Sequence, residues 1–372
     1  MLSFFNKRNT ILFYFIVAIF ISLSFNSSYA ARTDNIKVFF NDPPDTKNID
    51  IELANFIDSA KVCVIAHFYQ INRQCVVNAL INAAKRLGPK NIKLITDNKY
   101  YKNKKYLSTY SRLESAGIVI RTDQSDGSKG TGESHNKFCV VDSKKVWTGS
   151  YNPTDNNSVN DYNNALILNS TDAAILYSEE FSNMYDKLLF GSNKPRLKNN
   201  HKFTIDSVEV EVYFSPADNV NGIICDYILK AKSFISFVIF AFTYDEIENA
   251  LFSKHSLGVN VRGMCDDLSA GGKSSGYTAL VSKKMNVKKD SNSRSQLHDK
   301  FIVFDHESNT AAVITGSHNY TKAANTKNDE NIVIIHDKYY SQLYYNEFAK
   351  IYGAKQIKIE DNLLNIITPI KK

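Results

Sequence analysis

Apolar positions along this chain switch between two periods. Residues 49–61, IDIELANFIDSAK, place Ile51, Ala54, Ile57 and Ala60 on one face of an amphipathic helix. The next stretch, VCVIAHFY (62–69), is apolar throughout, as a strand buried on both faces is. STDAAILYSEEFSNMYDKLL (170–189) opens with a Ser-Thr-Asp start signal and continues at helical spacing. Strands alternating with helices predict an α/β layer architecture.

The pattern is written twice. With Gly149 placed on Gly316, Ser150 meets Ser317, Asn152 meets Asn319 and Asn164 meets Asn331. Glu180-Phe181 then meets Glu347-Phe348, and Tyr185 meets Tyr352, so the offset of 167 holds from 149 to 185 without a gap. Earlier segments correspond with small gaps. VFFNDPPD (38–45) resembles VYFSPADN (212–219), and IKLITDN (92–98) matches VRGMCDD (261–267). Ala60-Lys61 leads into a run ending IAHFY (65–69), and Ala231-Lys232 into one ending IFAFT (239–243). We therefore expect one domain over 36–190 and a second over 203–354. The polar, breaker-rich GSNKPRLKNNHK (191–202) joins them, and a tail follows at 355–372.

A length of 372 residues suits two domains that each bury a core, and 43% hydrophobic residues mark a globular chain. Lys7 and Arg8 precede the apolar ILFYFIVAIFISLSF (11–25) and then NSSYA, with Ser28 and Ala30 at small-residue positions. This describes a secretory signal peptide over 1–30, and hence a secreted, periplasmic or otherwise extracytoplasmic protein. The rival is an N-terminal membrane anchor, for which the run is short, since a span needs about 20 residues. Without residues 1–30 the charge is +5, from 43 basic and 38 acidic side chains. That excess favours anionic partners such as phospholipid surfaces, nucleic acid or phosphate esters, or is simply a solvated basic surface. The five cysteines match no metal spacing. Cys63 and Cys139 lie in apolar runs, where a thiol packs as a small hydrophobe; one disulfide remains open.

The chemistry sits in two stretches, SHNKFCVVDSKKVWTGSYN (134–152) and LHDKFIVFDHESNTAAVITGSHN (297–319). Strand residues i and i+2 share a face, so His135 points with Lys137 and His298 with Lys300. Asp142 and Asp305 follow their His by seven, an odd offset that turns them to the other face. We expect both to be structural, holding the turn after the strand. Ser150 with Asn152, and Ser317 with Asn319, again share a face behind Gly149 and Gly316. Each half thus offers an imidazole, an ammonium, a hydroxyl and an amide to one spot. A single His-x-Lys is usually just a strand face, but two copies that keep six residue types in order argue for a site.

The pattern H-x-K-x4-D followed by G-S-x-N resembles the signature of the phospholipase D superfamily, and both motifs are present. The second copy differs only in a gap before Gly316 that is four residues longer. The resemblance implies two similar α/β domains, each a mixed, mostly parallel sheet flanked by helices, related by a pseudo-twofold axis, with both motifs in one cleft. It also implies phosphodiester hydrolysis without metal or cofactor. Lys137, Lys300, Asn152 and Asn319 would hold the non-bridging oxygens. One His would attack phosphorus, and the other would protonate the leaving alcohol and then activate water. By resemblance, His135 is the nucleophile and His298 the acid/base. In the family an acid shortly after the Gly-Ser strand holds the His; Glu330 fits for His298. The register puts Asn163 opposite Glu330, so we expect Asp161, two residues earlier, to orient His135. Asp97 and Asp266 end matching strands and are expected to hold turns.

Three functions follow: a secreted phospholipase D using water or an alcohol as acceptor, a nuclease on the same scaffold, or a phosphate- or membrane-binding relative without catalysis. Neither copy has lost His, Lys or Asn, which disfavours the third. DNKYYKNKKYLSTYSR (97–112) sets Lys99, Lys102, Lys104 and Lys105 among Tyr100, Tyr101, Tyr106 and Tyr110. It suits a strand-binding groove, an anionic membrane surface or a solvated helix, and Lys99, Tyr100, Tyr101 and Lys102 are the candidate substrate contacts. DDLSAGGKSSGYTALVSKK (266–284) holds the matching place and reads as a mobile lid. The export signal favours lipid. Two motifs in one chain complete a site without a partner, so a monomer is expected.

Overall fold

The chain lays down two sheets in succession. The computed structural model describes residues 34–359 apart from 42, 44–47, 126, 128, 131, 273–274 and 292–294. The signal peptide expected at 1–30 and tail residues 360–372 lie outside the described residues. The first half runs β1 (Ile36–Asn41), α1 (Ile49–Asp58), β2 (Val64–Phe68), α2 (Gln74–Leu87), β3 (Ile92–Thr96), α3 (Asn98–Tyr101), α4 (Leu107–Ser115) and β4 (Val119–Thr122). It continues with β5 (Lys137–Val141), β6 (Lys145–Gly149), α5 (Asp155–Val159), β7 (Asn163–Asn169) and α6 (Thr171–Tyr185). The second half runs β8 (Lys202–Ile205), β9 (Val208–Ser215), α7 (Val220–Lys230), β10 (Phe234–Ile239), α8 (Asp245–Ser256), β11 (Asn260–Cys265), α9 (Asp267–Ala270) and α10 (Gly276–Ser282). It ends with β12 (Asn286–Lys289), β13 (Lys300–Phe304), β14 (Ala312–Gly316), α11 (Lys322–Thr326), β15 (Glu330–His336) and α12 (Lys338–Tyr352).

The strand order is β1-β7-β6-β5-β2-β3-β4 in the first sheet and β12-β11-β10-β13-β14-β15-β9-β8 in the second. The second repeats the first strand for strand, with β8 added at its edge. The sheets are mixed, but the expectation that they are mostly parallel is corrected. Parallel pairing is confined to β2-β3-β4 and β10-β11-β12. There the strands are joined by helical crossovers, through α2 and then α3 and α4 in the first sheet and through α8 and then α9 and α10 in the second. β5 and β6 meet through a tight turn, which forces antiparallel pairing, and the longer hairpin loop 305–311 joins β13 to β14 antiparallel as well.

Local expectations are refined as well. In α1 the buried apolar residues are Ile49, Leu53, Ala54, Phe56 and Ile57, while Ile51 is 43% exposed. The buried stripe therefore follows the 3.6-residue period rather than a strict spacing of three. At α6, Ser170 caps the helix by accepting from the Ala173 N–H. Phe68 pairs with Lys137, and Ile239 with Lys300, so Tyr69 corresponds to Phe240. The run IAHFY thus matches SFVIF (236–240), three residues before IFAFT; a continuous apolar run holds no internal marker of register. The stretch read as a lid forms α9 and α10, with Leu280 buried. All five cysteines are free thiols, with Cys139 and Cys265 buried.

Each half has a core of its own beneath the helices on its outer side. A third core is shared. Tyr177 and Phe181 of α6, Tyr344 and Phe348 of α12, Phe138 of β5 and Phe301 of β13 pack together in it. Residues 35–359 close into one compact unit around it. The linker takes part. Lys194 is buried between Glu180 of α6 and Asp329 ahead of β15, 2.8 Å from the latter, and its Nζ donates to the Ser215 carbonyl.

Candidate active site

Reciprocal hydrogen bonds join the halves. Asn331 of β15 accepts at Oδ1 from Thr148 Oγ1 (2.8 Å) and Tyr177 Oη (2.9 Å), and its Nδ2 donates to Asn136 Oδ1 (2.8 Å). Asn164 of β7 accepts from Thr315 Oγ1 (2.7 Å) and Tyr344 Oη (3.3 Å), and donates to Asp299 Oδ1 (2.7 Å). Each contact has its counterpart with the halves exchanged, as a twofold arrangement requires. All these groups are buried, so each needs its partner.

This ladder brings the two His-bearing segments to one place. Asp97 accepts the Ser134 N–H and Asp266 the Leu297 N–H, each at 3.0 Å, from the same half. From the opposite half, Asn328 accepts the Glu133 N–H and Asp161 the Gln296 N–H, also at 3.0 Å. Asp97 and Asp266 also cap α3 and α9. Asp142 and Asp305 act further back. The Asp142 carboxylate accepts the N–H groups of Lys61, Val62 and Cys63, and Asp305 those of Lys232, Ser233 and Phe234. They thus hold the turn entering the neighbouring strand rather than the one after their own. Burial would raise the Asp142 pKa; the three N–H donors outweigh it, and the pKa is lowered.

His135 and His298 are each 6% exposed. The expected orienting partners are corrected: they are crossed between the halves. His135 Nδ1 bonds Glu330 Oε2 at 2.8 Å, and His298 Nδ1 bonds Asn163 Oδ1 at 2.9 Å. Glu330 therefore does not serve His298, and Asp161 does not orient His135. The reason lies in the twofold packing. The first residues of β7 and β15 reach across the interface, whereas a register argument treats each half as self-contained. Ser150 and Ser317 stay at home: Ser150 Oγ donates to Asn163 Oδ1 (3.1 Å) and Ser317 Oγ to Glu330 Oε2 (2.6 Å). Asp161 instead accepts from Asn156 and Asn157, and Asn157 accepts from Asn152 Nδ2 at 3.0 Å. Asn152 is buried, while Asn319 is half-buried and accepts from the Ala241 N–H.

Lys137 and Lys300 are buried, and each Nζ donates to the carbonyl of its own His, at 2.7 Å for Lys300. Burial pushes Lys137 down to about 7, and burial followed by repulsion from Lys137 lowers Lys300 well below its ordinary value. Burial likewise lowers both imidazoles and raises Glu330. A bound phosphate would restore charge to the ammonium groups, so the pocket is set to receive an anion.

Aromatic rings wall the two histidines. Tyr69 lies 4.5 Å from the His135 ring and Phe240 lies 5.0 Å from that of His298. Tyr69 Oη donates to Glu133, and Tyr100 packs on Tyr69 at 4.8 Å. The candidate contacts of α3 therefore divide. Tyr100 reaches the site through Tyr69, and Lys99 acts on the charge of His135. Lys102 is exposed, whereas Tyr101 turns to Tyr110 and Glu114 and is corrected to a packing residue. The sequence reading missed Tyr69, Phe240, Glu133 and the interface asparagines. For the asparagines a signal existed, since Thr148/Thr315, Asn164/Asn331 and Tyr177/Tyr344 all keep the offset of 167. Among the described residues, Glu209, Glu211 and His336 form a cluster of metal-ligand type. It lies at the far end of β15 from Glu330, and Glu211 already accepts from Lys202, Tyr213, Tyr227 and His336.

A family model described as the PLD-like domain of cardiolipin synthase matches residues 53–185 and again 224–352. A phospholipase D of Rickettsia felis is 28% identical over 164 residues, covering 44% of this chain and 80% of that protein. The mouse mitochondrial cardiolipin hydrolase is 32% identical over 127 residues, 34% of this chain and 54% of its own length. The chain thus spans about half the length of that hydrolase. Among solved structures, phosphatidylserine synthase of Haemophilus influenzae aligns over 91% of this chain and 90% of its own with a TM-score of 0.63. At 13% identity that likeness shows the fold alone.

Proposed function

The chain belongs to the phospholipase D superfamily of phosphodiesterases, and from that premise we propose that it hydrolyses phospholipid headgroup esters through a phosphohistidine. The observation that carries this reading is the pair of buried imidazole–ammonium sets meeting across the interface. Both rings have Nδ1 engaged, which leaves Nε2 of each for the substrate. Lys137 and Lys300 receive the phosphate oxygens and stabilise the charge that grows in the transition state. One ring bonds to phosphorus while the other passes its proton to the leaving alcohol, then takes one from water. The protein acts outside the cytoplasm after losing residues 1–30, and as a monomer, since one chain supplies both sets.

A nuclease is the second reading, favoured by the exposed lysines of α3 and its flank and by the half-buried Tyr100. The test offers residues 31–372 in EDTA mixed phospholipid vesicles and, separately, labelled single-stranded DNA and RNA, with His135→Ala as control. Headgroup release that the variant loses, and transfer to added ethanol, are expected. Cleavage of nucleic acid alone would replace lipid by the second reading. Binding of either without turnover would leave a non-catalytic relative.

A further inference from the structure

A histidine that the proposed chemistry leaves unused lies behind the site. His67 of β2 is fully enclosed, with Nε2 2.8 Å from Ser134 Oγ and 3.3 Å from the Ser134 carbonyl oxygen. Ser134 is the residue before His135. We propose that His67 is a positioning residue, which acts through Ser134 to fix the peptide that carries His135. This rests on the reading of His135 as one of the reacting pair, whichever step it serves.

The partners assign the tautomer. A carbonyl oxygen only accepts, so the hydrogen belongs on Nε2, shared between the carbonyl and the hydroxyl of Ser134. Nδ1 is then a bare lone pair, and it has no hydrogen-bond partner among the described residues. The other tautomer would enclose an N–H without an acceptor and turn the Nε2 lone pair on the carbonyl. A second proton is opposed by burial and by Lys194, Lys137 and His135. His67 is therefore a neutral group that donates in one direction.

Other contacts complete the grip. The Ser134 N–H donates to Asp97 Oδ2 at 3.0 Å, so both ends of that residue's backbone are held. On the far side of His135, the Asn136 carbonyl accepts the Tyr69 N–H at 3.0 Å. Held peptides thus bound the soft dihedrals on either side of His135 and keep its imidazole on Glu330 of the other half, 2.8 Å away.

The second half shows that the fold does not require this pair. Phe68 pairs with Lys137 and Ile239 with Lys300, so His67 corresponds to Val238 and Ser134 to Leu297. Val238 and Leu297 are buried in the shared core, where packing holds the segment without prescribing a direction. In the first half a polar pair with an unpartnered nitrogen occupies the same place, at a cost in stability. A local rule broken without structural need marks a functional position.

Transplanting the second half's pair separates position from packing. His67→Val/Ser134→Leu should melt at or above the temperature of the parent chain, because it exchanges the polar pair for one that this fold already buries. Its kcat on bis(p-nitrophenyl) phosphate should fall about 10–100-fold, the effect of displacing a reacting group by about 1 Å, with KM within about twofold. Full kcat in the stable double variant would show that the pair only fills space, and would overturn the proposal. Single variants of similar volume give a second reading that needs no repacking. His67→Gln can place an N–H where Nε2 was and His67→Leu cannot, so the first should keep at least about 10-fold more kcat at temperatures where both are folded. Equal kcat overturns the proposal. Nitrogen NMR should find His67 as the neutral Nε2–H tautomer at neutral pH; the Nδ1–H form would remove the donor and overturn it too. His135→Ala is the control. If it is inactive while the two variants at position 67 are alike, only the positioning role fails; if it keeps turnover, the phosphohistidine reading fails as well.

Discussion

Lys137 is a cation held where a cation is poorly solvated, and its pKa of about 7 is the measure of that. An anion in the pocket reverses the penalty, so binding and protonation are coupled. Tungstate binding near pH 8 should therefore take up protons, and the uptake should vanish below about pH 6, where the ammonium is already formed. Calorimetry in buffers of different ionisation enthalpy reads this directly; identical heats at pH 8 would deny it. Asp142 acts through structure. Replacing it by Ala leaves three N–H groups without their acceptor and should cost about 2 kcal/mol in urea unfolding. Because its folded pKa is depressed, its stabilisation is present above the unfolded value and lost as pH falls through the folded one. The motif residues were legible in the sequence because their types and spacing are written twice. Their partners were not, since the residue that touches His135 lies 195 positions away in the other half.

At the scale of elements, the repeat revealed the order of strands and helices but not their directions. Continuous apolar runs suggested buried parallel strands, yet connection length decides direction, and the turn between β5 and β6 permits only antiparallel pairing. The motif glycines show the same interplay. Gly149 and Gly316 sit at φ 146° and 151°, where a Cβ would run into the carbonyls of Asn164 and Asn331 in the next strand. Gly149→Ala should therefore part β6 from β7 at its end, at a cost of about 1–3 kcal/mol. Ser150 and Asn152 lie just beyond, so kcat should fall at temperatures where circular dichroism still reports a folded chain. Unchanged kcat in the folded variant would show that the strand ending does not position the site.

At the scale of the whole molecule, the linker is more than a connection. Lys194 sits between Glu180 and Asp329, and Lys194→Met leaves both carboxylates buried without their cation. The expected loss is about 3–5 kcal/mol, recovered in part when Glu180→Gln and Asp329→Asn are added. A thermal shift that the triple variant fails to recover would argue against this account. The polar composition of 191–202 hid that role, because nothing local marks which lysine will be enclosed. The exposed Lys102, Lys104 and Lys105 act at longer range, and changing all three to Gln should raise KM on anionic vesicles most at low salt, with kcat kept. The crossed partners carry a consequence for descent. Two identical subunits around a true twofold axis must place the same side chain over both histidines. A gene that has duplicated and fused escapes that rule. Once both copies share one polypeptide, a single codon can drift in one of them, and a matched pair of partners becomes an unlike one, with Glu330 over one ring and Asn163 over the other.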